Sequence, residues 1–531
     1  MEDKVIIGVN VLENLTMGMY TDRKILFREY IQNSCDSIDM AVENGILADG
    51  EGRIEIWIDE RNNHVCIEDN AQGIPASEFK KTLFNIGDSS KTIGKDKGFR
   101  GIGHWCGIGY CKVLMFISKA KGETVESVMS CDADTIRNMI NEHNLHIKQY
   151  TIDEVLGSTV HFFSNPDKDI NTHYFKVQLL EVSALHLELC SLTKIKDYLS
   201  FVAPVQYATE FRFKKQIHDY ANQYGYFIQE YSISIGVEGK DNSCEPIYKK
   251  YTPSFTTHSK GEDKIYDVDF QTIKDNNSNV IAWLWYGISS FKAQILSENL
   301  MRGIRLRTQN IQIGGDDALQ KLFREDRGQY YFIGEVFAIN KQLVPNARRD
   351  YFIENDQLKL FETKLSAFFN EELSTIYKKG STINSSIDKI NKADKLENKL
   401  NEKQVKNLPI TAEDYNLLSK AQVEKERAEK ELEKIEKSNN SRVNSKEFQT
   451  KDIVINTILE NKKAERILSA QIPKIEIQVP VNDNTKNDSP QNSFFKEKHV
   501  PYSRVIKIIN ECLPRSFAET IINRLTCEFM K

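Results

Sequence analysis

The stretch that decides the fold lies near the start of the chain and reads Arg28-Glu29-Tyr30-Ile31-Gln32-Asn33-Ser34-Cys35-Asp36. At helical spacing, Glu29, Asn33 and Asp36 form a narrow polar stripe on one face. The apolar residues on the opposite side, which can pack on a sheet, are Phe27, Ile31 and Ile38. The solvated face of an amphipathic helix gives the same stripe. A carboxylate one turn from an amide oxygen also suits Mg²⁺ beside a general base, because Mg²⁺ prefers oxygen ligands and keeps waters that a carboxylate can deprotonate.

A second motif follows two predicted strands and reads Asp69-Asn70-Ala71-Gln72-Gly73. Apolar and polar residues alternate over 53–59, and an apolar run at 65–67 follows a polar turn, so Asp69 is expected at the rim of a sheet. A carboxylate there can accept a hydrogen bond from an exocyclic amine such as that of adenine, and Gly73 lets the backbone approach a flat ring. An Asx turn that closes a hairpin is the alternative.

A third motif is a run of glycines that begins at Gly94 and continues through Gly98, Gly101, Gly103, Gly107 and Gly109. Closely spaced glycines let backbone N–H groups point at phosphate oxygens, and a helix beginning near Gly107 would add its positive end. No Gly-Lys-Ser/Thr closes the run, so it is not a Walker loop. Apolar residues within it, such as Ile102, favour a hinged lid over a solvated linker. A fourth motif, Gly157-Ser158-Thr159, stands at the start of an apolar strand-like stretch.

In this order the four motifs resemble the Bergerat ATP-binding fold of the GHKL superfamily, which gyrase, the ninety-kilodalton heat-shock chaperones, histidine kinases and mismatch-repair ATPases share. They are most similar to the chaperone branch. The resemblance implies an α+β chain: a Bergerat-fold α/β sandwich, an α/β middle (transducer) domain, and a mostly helical C-terminal region. It also implies magnesium-dependent hydrolysis of ATP and nucleotide-driven closure of a clamp.

The resemblance assigns roles to individual residues. It implies Glu29 as the general base, Asn33 as the Mg²⁺ ligand, Asp69 as the adenine reader and Thr159 as a support for Asp69. Gly73 would shape the base pocket. The further nucleotide-binding residues that it implies are Asp36, Lys91, Gly98, Gly101, Ile102, Gly103, Gly107 and Gly109. One position departs from the family: Ala71 stands where a glycine is usual, which is tolerable if its φ is negative.

A second region strengthens the resemblance to the chaperones. Residues 303–313 alternate like one strand and residues 330–336 like another, and the run Leu343-Val344-Pro345-Asn346-Ala347-Arg348-Arg349-Asp350 follows them. This pattern is similar to the middle domain, where an arginine reaches the γ-phosphate. The resemblance implies Arg349 for that role, with Arg348 as the second choice, because charge builds on the transferred phosphoryl group. A double arginine on the surface, salt-bridged to Asp350, is the alternative.

Composition limits the class of protein. The chain has 531 residues, 71 Lys and Arg, and 76 Asp and Glu, for a net charge of −5. Such a balance does not by itself indicate nucleic-acid binding. The nine cysteines include no Cys-x-x-Cys pair, which favours a reducing compartment over a zinc site or a disulfide framework. No apolar run approaches membrane-spanning length and no signal segment is recognisable, so we expect a cytoplasmic protein without membrane contact.

The predicted domains are residues 1–190 (ATP-binding), 191–380 (middle domain), 381–470 (helical), 471–497 (linker) and 498–531 (a small helical module). An amphipathic helix is predicted from about 357 to 377, ending at Lys378-Lys379-Gly380. The helical region carries a possible coiled-coil seam of Leu418, Ala421, Ala428, Leu432 and Ile435, although a solvated single helix is equally consistent. The terminal module is too small to bury its two apolar stripes alone, which favours a homodimer.

Three functions remain open from the sequence. The first is a chaperone-like ATPase that acts on a protein client. The second is a microrchidia-like, ATP-dependent DNA clamp, in which the lysine-rich tail holds the nucleic acid. The third is a scaffold that binds nucleotide without hydrolysing it. The chaperone resemblance covers residues 1–350 and does not extend to the C-terminal region.

Overall fold

The computed structural model describes residues 8–14, 18, 22–86, 96–98, 101, 103–239, 243–258, 261–443 and 450–471. The chain divides into two compact units, residues 1–469 and residues 470–531. From residue 472 onward nothing is described, so the predicted terminal module and nearly all of the predicted linker lie outside the described residues, as do Lys91 and Ile102.

One mixed sheet, of eight strands among the described residues, forms the frame of the N-terminal part. Its strands are β1 (Arg53–Asp59), β2 (His64–Asp69), β3 (Cys111–Lys119), β4 (Val125–Asp132), β5 (Val160–Pro166), β6 (Tyr174–Val182), β7 (Ser232–Val237) and β8 (Glu245–Pro246). They lie in the order β5-β4-β3-β6-β2-β1-β7-β8. The β1–β7 pair is parallel and its neighbours in the sheet are antiparallel.

The helices that accompany this sheet are α1 (Asn10–Glu13), α2 (Ile25–Glu43), α3 (Ala76–Phe84), α4 (Ala133–Asn144), α5 (Ile152–Thr159) and α6 (Leu192–Val202). The α2 helix and the β1–β2 hairpin confirm the predicted elements. Alternate residues of β1 and β2 are buried in the same apolar cluster as Phe27, Ile31 and Ile38 of α2. The first motif is therefore held against the sheet by the apolar face of α2, as the sequence predicted.

The middle part contains α7 (Lys214–Gln223), a short β9–β10 hairpin (Ser254–Thr256 and Glu262–Lys264) and a five-stranded sheet. That sheet has the order β11-β12-β15-β13-β14, with β11 at Asp267–Lys274, β12 at Val280–Ile288, β13 at Gly303–Thr308, β14 at Ile311–Ile313 and β15 at Ile333–Ala338. The single strand predicted over 303–313 is wrong: β13 and β14 form a hairpin whose turn residues Gln309 and Asn310 have positive φ. Tyr330 and Tyr331 belong to a 3₁₀ helix, Asp326–Tyr331, that precedes β15.

Two predicted domain boundaries fall inside continuous structure. Strands β7 and β8 belong to the N-terminal sheet, although they follow the boundary predicted at residue 190. A helix α9 (Ser374–Val405) runs through the boundary predicted at residue 380. The helix predicted to end there is instead α8 (Asp356–Phe368), a π-helical turn at Phe369–Leu373, and α9 in succession.

Two further helices follow, α10 (Ala412–Val443) and α11 (Thr450–Gln471). Helix α10 folds back on α9, and the ion pairs Lys403–Asp414 and Lys425–Asp394 join them. Ala421, Ala428 and Ile435 of the predicted seam are buried within this chain. Apolar residues of α11 also enter the apolar core of the middle part. Among the described helices, none combines the length and the apolar character needed to cross a membrane.

Candidate active site

The three N-terminal motifs meet at one cavity of about 590 Å³. Residues on its wall that the sequence singled out are Glu29, Asn33, Asp69, Gly73, Gly98, Gly101, Gly103 and Arg349. Helix α2 contributes the first two, the end of β2 contributes Asp69, and Arg349 comes from a loop more than three hundred residues along the chain. The structure therefore brings together the acid–amide pair, the strand-end aspartate and the arginine.

Glu29 is nearly buried, with 6% of its surface exposed, so the polar stripe of α2 is not a solvated face. Its Oε1 atom lies 3.2 Å from Nε of Arg349 and 3.7 Å from Nη2 of Arg28. A Cβ placed on Gly103 would lie 2.7 Å from Oε2, so the glycine run passes directly against this carboxylate. Glu29 is thus an anion held between two cations at the edge of an open space.

Asp36 lies behind the cavity and supports its wall. The backbone N–H groups of Lys97 and Gly98 donate to its two carboxylate oxygens at 2.8 and 2.9 Å. Asp36 is not among the cavity-lining residues, so its predicted contact with nucleotide is replaced by an anchoring contact with the glycine run. Gly98 in turn lies close to the amide of Asn33, since a Cβ on Gly98 would lie 2.8 Å from Asn33 Oδ1.

Asp69 ends β2 and is buried on the cavity wall. Its Oδ1 accepts the backbone N–H of Ala71 at 3.1 Å, which is the Asx contact of the alternative prediction, and φ of Ala71 is negative, as tolerance of alanine requires. Gly73 has a φ of +69°, and a Cβ there would lie 2.1 Å from the carbonyl oxygen of Lys119, so only glycine fits. The predicted support from Thr159 is wrong, because the Thr159 hydroxyl donates to Val155 O within α5, at 2.6 Å.

The second half of the glycine run differs from its prediction. Residues Gly103–Gly109 form a 3₁₀ helix, and no helix begins near Gly107 in the described residues around it. The N–H of Gly107 donates to the Tyr30 hydroxyl at 3.0 Å, and a Cβ there would lie 2.6 Å from the same oxygen. Gly107 and Gly109 are absent from the cavity wall. Gly107 therefore allows close packing on α2, and neither glycine lines the cavity.

Arg349 occupies a constrained position. Its φ is +54°, which is unusual for a residue other than glycine and marks backbone strain of the kind found at functional sites. Its Nη2 donates to Lys97 O at 2.8 Å, so it contacts both Glu29 and the base of the glycine run. Arg348 is exposed, and the Asp350 carboxylate accepts the side-chain N–H of Asn346 at 2.6 Å. The alternative of a surface arginine paired with Asp350 is therefore wrong for Arg349.

Two contributors to the site were missed from the sequence. Arg28 donates to the carbonyl oxygens of Arg349 and Arg348 at 3.3 and 3.2 Å. These contacts fix the loop that carries the two arginines, called here the arginine loop, against α2. The Tyr30 hydroxyl donates to His104 O at 3.1 Å, and burial raises the pKa of Tyr30 well above its usual value, so the hydroxyl stays neutral. A signal for Arg28 existed: a cation among apolar helix residues with no acidic residue three or four positions away needs another partner.

Comparison with known proteins now identifies this domain. Residues 27–161 match the family model described as "Histidine kinase-, DNA gyrase B-, and HSP90-like ATPase". Over these residues the chain is similar to ATPases of the GHKL type. The match spans the first, second and third motifs and reaches Thr159. This GHKL assignment and the mixed α+β fold confirm the resemblance that the motifs predicted.

A curated relative extends the likeness to the chaperones. The chain is 23% identical to "Chaperone protein HtpG" of Orientia tsutsugamushi (strain Boryong) over an alignment of 235 residues. The alignment covers 38% of this chain and 37% of that protein, so the chain spans well under half of the length of its relative. The family model and this relative therefore agree in pointing to HSP90-like proteins as ones that this chain resembles.

Proposed function

We propose that this protein binds ATP in the 590 Å³ cavity and hydrolyses it to ADP and phosphate. The observation that carries the proposal is that Glu29, Asn33, Asp69 and Arg349 share the wall of one cavity. A general base, an oxygen ligand for a cation, an acceptor for an amine and a cation for phosphate are the groups that the reaction needs. A structural role for these four side chains would not place them around open space.

At the base end of the cavity, Asp69 accepts a hydrogen bond from the adenine amine while the backbone at Gly73 lies against the ring. At the phosphate end, Glu29 orients a water molecule and takes its proton as the water oxygen attacks the γ-phosphorus and the bond to the β–γ bridging oxygen breaks. Asn33 supplies an amide oxygen of the kind that Mg²⁺ accepts, so this residue would help to hold the ion. When bound, Mg²⁺ neutralises charge on the phosphates.

Arg349 links this chemistry to the position of the middle domain. Its guanidinium lies within 3.2 Å of Glu29, at the place where the charge of a γ-phosphate would attract it. Arg28 holds the loop through two backbone carbonyl oxygens, so α2 and the arginine loop are positioned together. ATP binding and release would then shift the docking of the two domains, which is the basis of a nucleotide-driven clamp.

The test separates binding from hydrolysis. We expect Asp69→Asn to lose ATP binding, because an amide placed there offers a donor to the adenine amine. We expect Glu29→Gln to bind ATP as the wild type does and to lower turnover by roughly 10²–10⁴-fold, the usual loss for a general base. Glu68→Gln is the matched control, since Glu68 precedes Asp69 on β2 and pairs with Lys176 at 3.3 Å away from the cavity wall. Wild-type turnover in Glu29→Gln would refute the base assignment.

The same Glu29→Gln protein tests the chaperone-like role. We propose a homodimer that closes on an unfolded protein client, because the named relative is a chaperone protein. Light scattering after size exclusion, with and without ATP, measures dimerisation. Adding chemically denatured citrate synthase or a duplex DNA separates a client-binding clamp from a DNA clamp: an ATP-dependent complex with DNA alone would overturn the chaperone-like role.

A further inference from the structure

A second cavity, of about 320 Å³, lies where helix α2 meets the middle part of the chain. Gln32 and Lys97 line it from the N-terminal part, and Thr308, Trp283 and Phe337 line it from the middle sheet. Arg349 is on the wall of both this cavity and the proposed ATP site. The second cavity therefore lies at the contact between the two domains.

Gln32 is the feature that makes this cavity a candidate site. Its side chain is 1% exposed, and neither its amide nitrogen nor its amide oxygen has a hydrogen-bond partner among the described residues. The hydroxyl of Thr308 is also buried and without a partner there. Buried amides and hydroxyls are paired in the great majority of cases, so two unpaired groups on one cavity wall point to a ligand.

The neighbours of Gln32 on the same face of α2 show what is usual at this contact. Arg28 bonds to the arginine loop, four residues before Gln32. Asp39, seven residues after it, accepts Lys97 Nζ and the Tyr231 hydroxyl, each at 2.7 Å. Both side chains have hydrogen-bond partners, Arg28 across the domain contact and Asp39 within the N-terminal part, whereas the buried Gln32 carboxamide has none among the described residues.

The remaining walls define the shape and charge of an occupant. Trp283 and Phe337 stack with ring centroids 4.4 Å apart and planes 6° from parallel, so this part of the cavity wall is aromatic and apolar. The two buried cations on the wall are already paired, Lys97 with Asp39 and Arg349 with Glu29. A flat and uncharged molecule therefore fits better than an anion.

We propose that the second cavity binds a small, planar, uncharged heterocycle whose edge carries a donor next to an acceptor, as a lactam does. The carboxamide of Gln32 offers the complementary acceptor and donor. Occupancy would also brace α2 against the Arg349 loop, and this regulatory consequence alone rests on the proposed ATPase function. Binding itself is independent of ATP hydrolysis.

The probe is 2-quinolone, and its matched control is N-methyl-2-quinolone, which has nearly the same shape and lacks the lactam N–H. We expect calorimetric titration of the full chain to show binding of 2-quinolone with about a tenfold preference over the methylated compound, the size of one buried hydrogen bond. Gln32→Met should remove that preference. Excess ADP, which would occupy the first cavity, should leave 2-quinolone bound.

Thermal unfolding gives a second readout that a merely structural glutamine would not produce. Because an unpaired buried amide destabilises the free protein, Gln32→Met should raise Tm by about 2–4 °C in the absence of any probe. Thr308→Val, which keeps the shape of the side chain, should weaken 2-quinolone binding and serves as a second variant if Gln32→Met misfolds. The proposal is wrong if 2-quinolone does not bind, if ADP displaces it, or if Gln32→Met lowers Tm and keeps the preference.

Discussion

Two carboxylates in this chain are buried beside a pair of cations, one in each domain, and they differ in how completely they are bonded. Glu335 of the middle sheet is fully buried and pairs with Arg307 at 2.5 Å and Lys249 at 3.1 Å. Its oxygens also accept hydrogen bonds from three aromatic side chains, Tyr207, Tyr251 and Trp285. Nothing in this cluster is open to a ligand, because both carboxylate oxygens and both cations are enclosed.

Glu29 is also one carboxylate beside two cations, but its distances to them are longer than those of Glu335. Its two cations lie at 3.2 and 3.7 Å, and Oε1 makes no hydrogen bond with any side chain or backbone group of the described residues. One side of the carboxylate faces the 590 Å³ cavity. The contrast teaches that buried charge alone does not identify a catalytic group. A saturated cluster holds a fold together, whereas an unsaturated one beside a cavity has bonding capacity left for a substrate.

The largest expected effect concerns the loose cluster, which consists of Glu29 and its two cations. Arg349→Ala should lower ATP turnover by roughly 10³–10⁵-fold, the range for loss of an arginine that stabilises a transferred phosphoryl group. The free energy of unfolding should change little, because Arg349 belongs to the loose cluster. Steady-state hydrolysis and urea unfolding measure the two quantities.

Arg348→Ala is the matched control for that change. Arg348 precedes Arg349 and is exposed, so its loss should leave turnover within a few fold of the wild type. Equal losses from both variants would mean that the loop as a whole, and not the Arg349 guanidinium, supports the reaction.

The next effect concerns the closed cluster, which consists of Glu335 with Arg307 and Lys249. Glu335→Gln leaves Arg307 and Lys249 buried without an anion, and breaking a buried pair in this way costs about 3–5 kcal/mol of the free energy of unfolding. Glu29→Gln should cost far less, since Arg349 lies on the cavity wall and both cations also donate to backbone carbonyl oxygens. Urea unfolding of both variants at the same pH makes the comparison. If Glu29→Gln were the more destabilising of the two, the distinction between a structural and a reactive carboxylate would fail.

Local sequence patterns were sufficient to predict much of the site. The spacing of Glu29 and Asn33 on an apolar-backed helix, and the position of Asp69 after an alternating strand, depend only on residues near them in sequence. The structure places these three side chains on one cavity. The role of Asp36 was not predictable, because its two partners are backbone amides of the glycine run about sixty residues away.

Boundaries were harder for the same reason. Strand β7 pairs with β1 over residues 232–237 and 53–58, a contact that no local pattern contains. The sequence predicts a helix end at Lys378-Lys379-Gly380, because basic residues followed by glycine are typical of a helix C-terminus. In the structure Gly380 is inside α9, where a Cβ would lie 3.1 Å from Cβ of Phe291, so close packing explains a glycine in the helix interior. The homodimer, the client and the coiled coil stay predictions.

The closed cluster contains one anion and two cations, and this excess of charge predicts a dependence of stability on pH. Burial, and after it the neighbouring guanidinium of Arg307, lowers the pKa of Lys249 to about 7. An unfolded lysine keeps its proton up to about pH 10.4. Between these values the unfolded state binds more protons than the folded state, so the free energy of unfolding rises with pH.

From pH 7 to pH 9 we expect this rise to contribute about 2 kcal/mol, at 1.36 kcal/mol for each pKa unit. Lys249→Met should abolish the rise, whereas Lys250→Met should retain it, because Lys250 is the next residue and is exposed. Urea unfolding at the two pH values, for the three proteins, makes the measurement.

The measurement stops at pH 9 because burial also raises the pKa of Tyr207 and Tyr251. Above pH 10 those two hydroxyls would make the free energy of unfolding fall as the pH rises. Burial also raises the pKa of thiols such as those of Cys106 and Cys131, which lowers the free energy of unfolding as pH rises over the same window, so the difference between wild type and Lys249→Met isolates the lysine. If that difference stayed level from pH 7 to 9, Lys249 would remain charged, and the cluster would hold its excess cation without any loss of a proton.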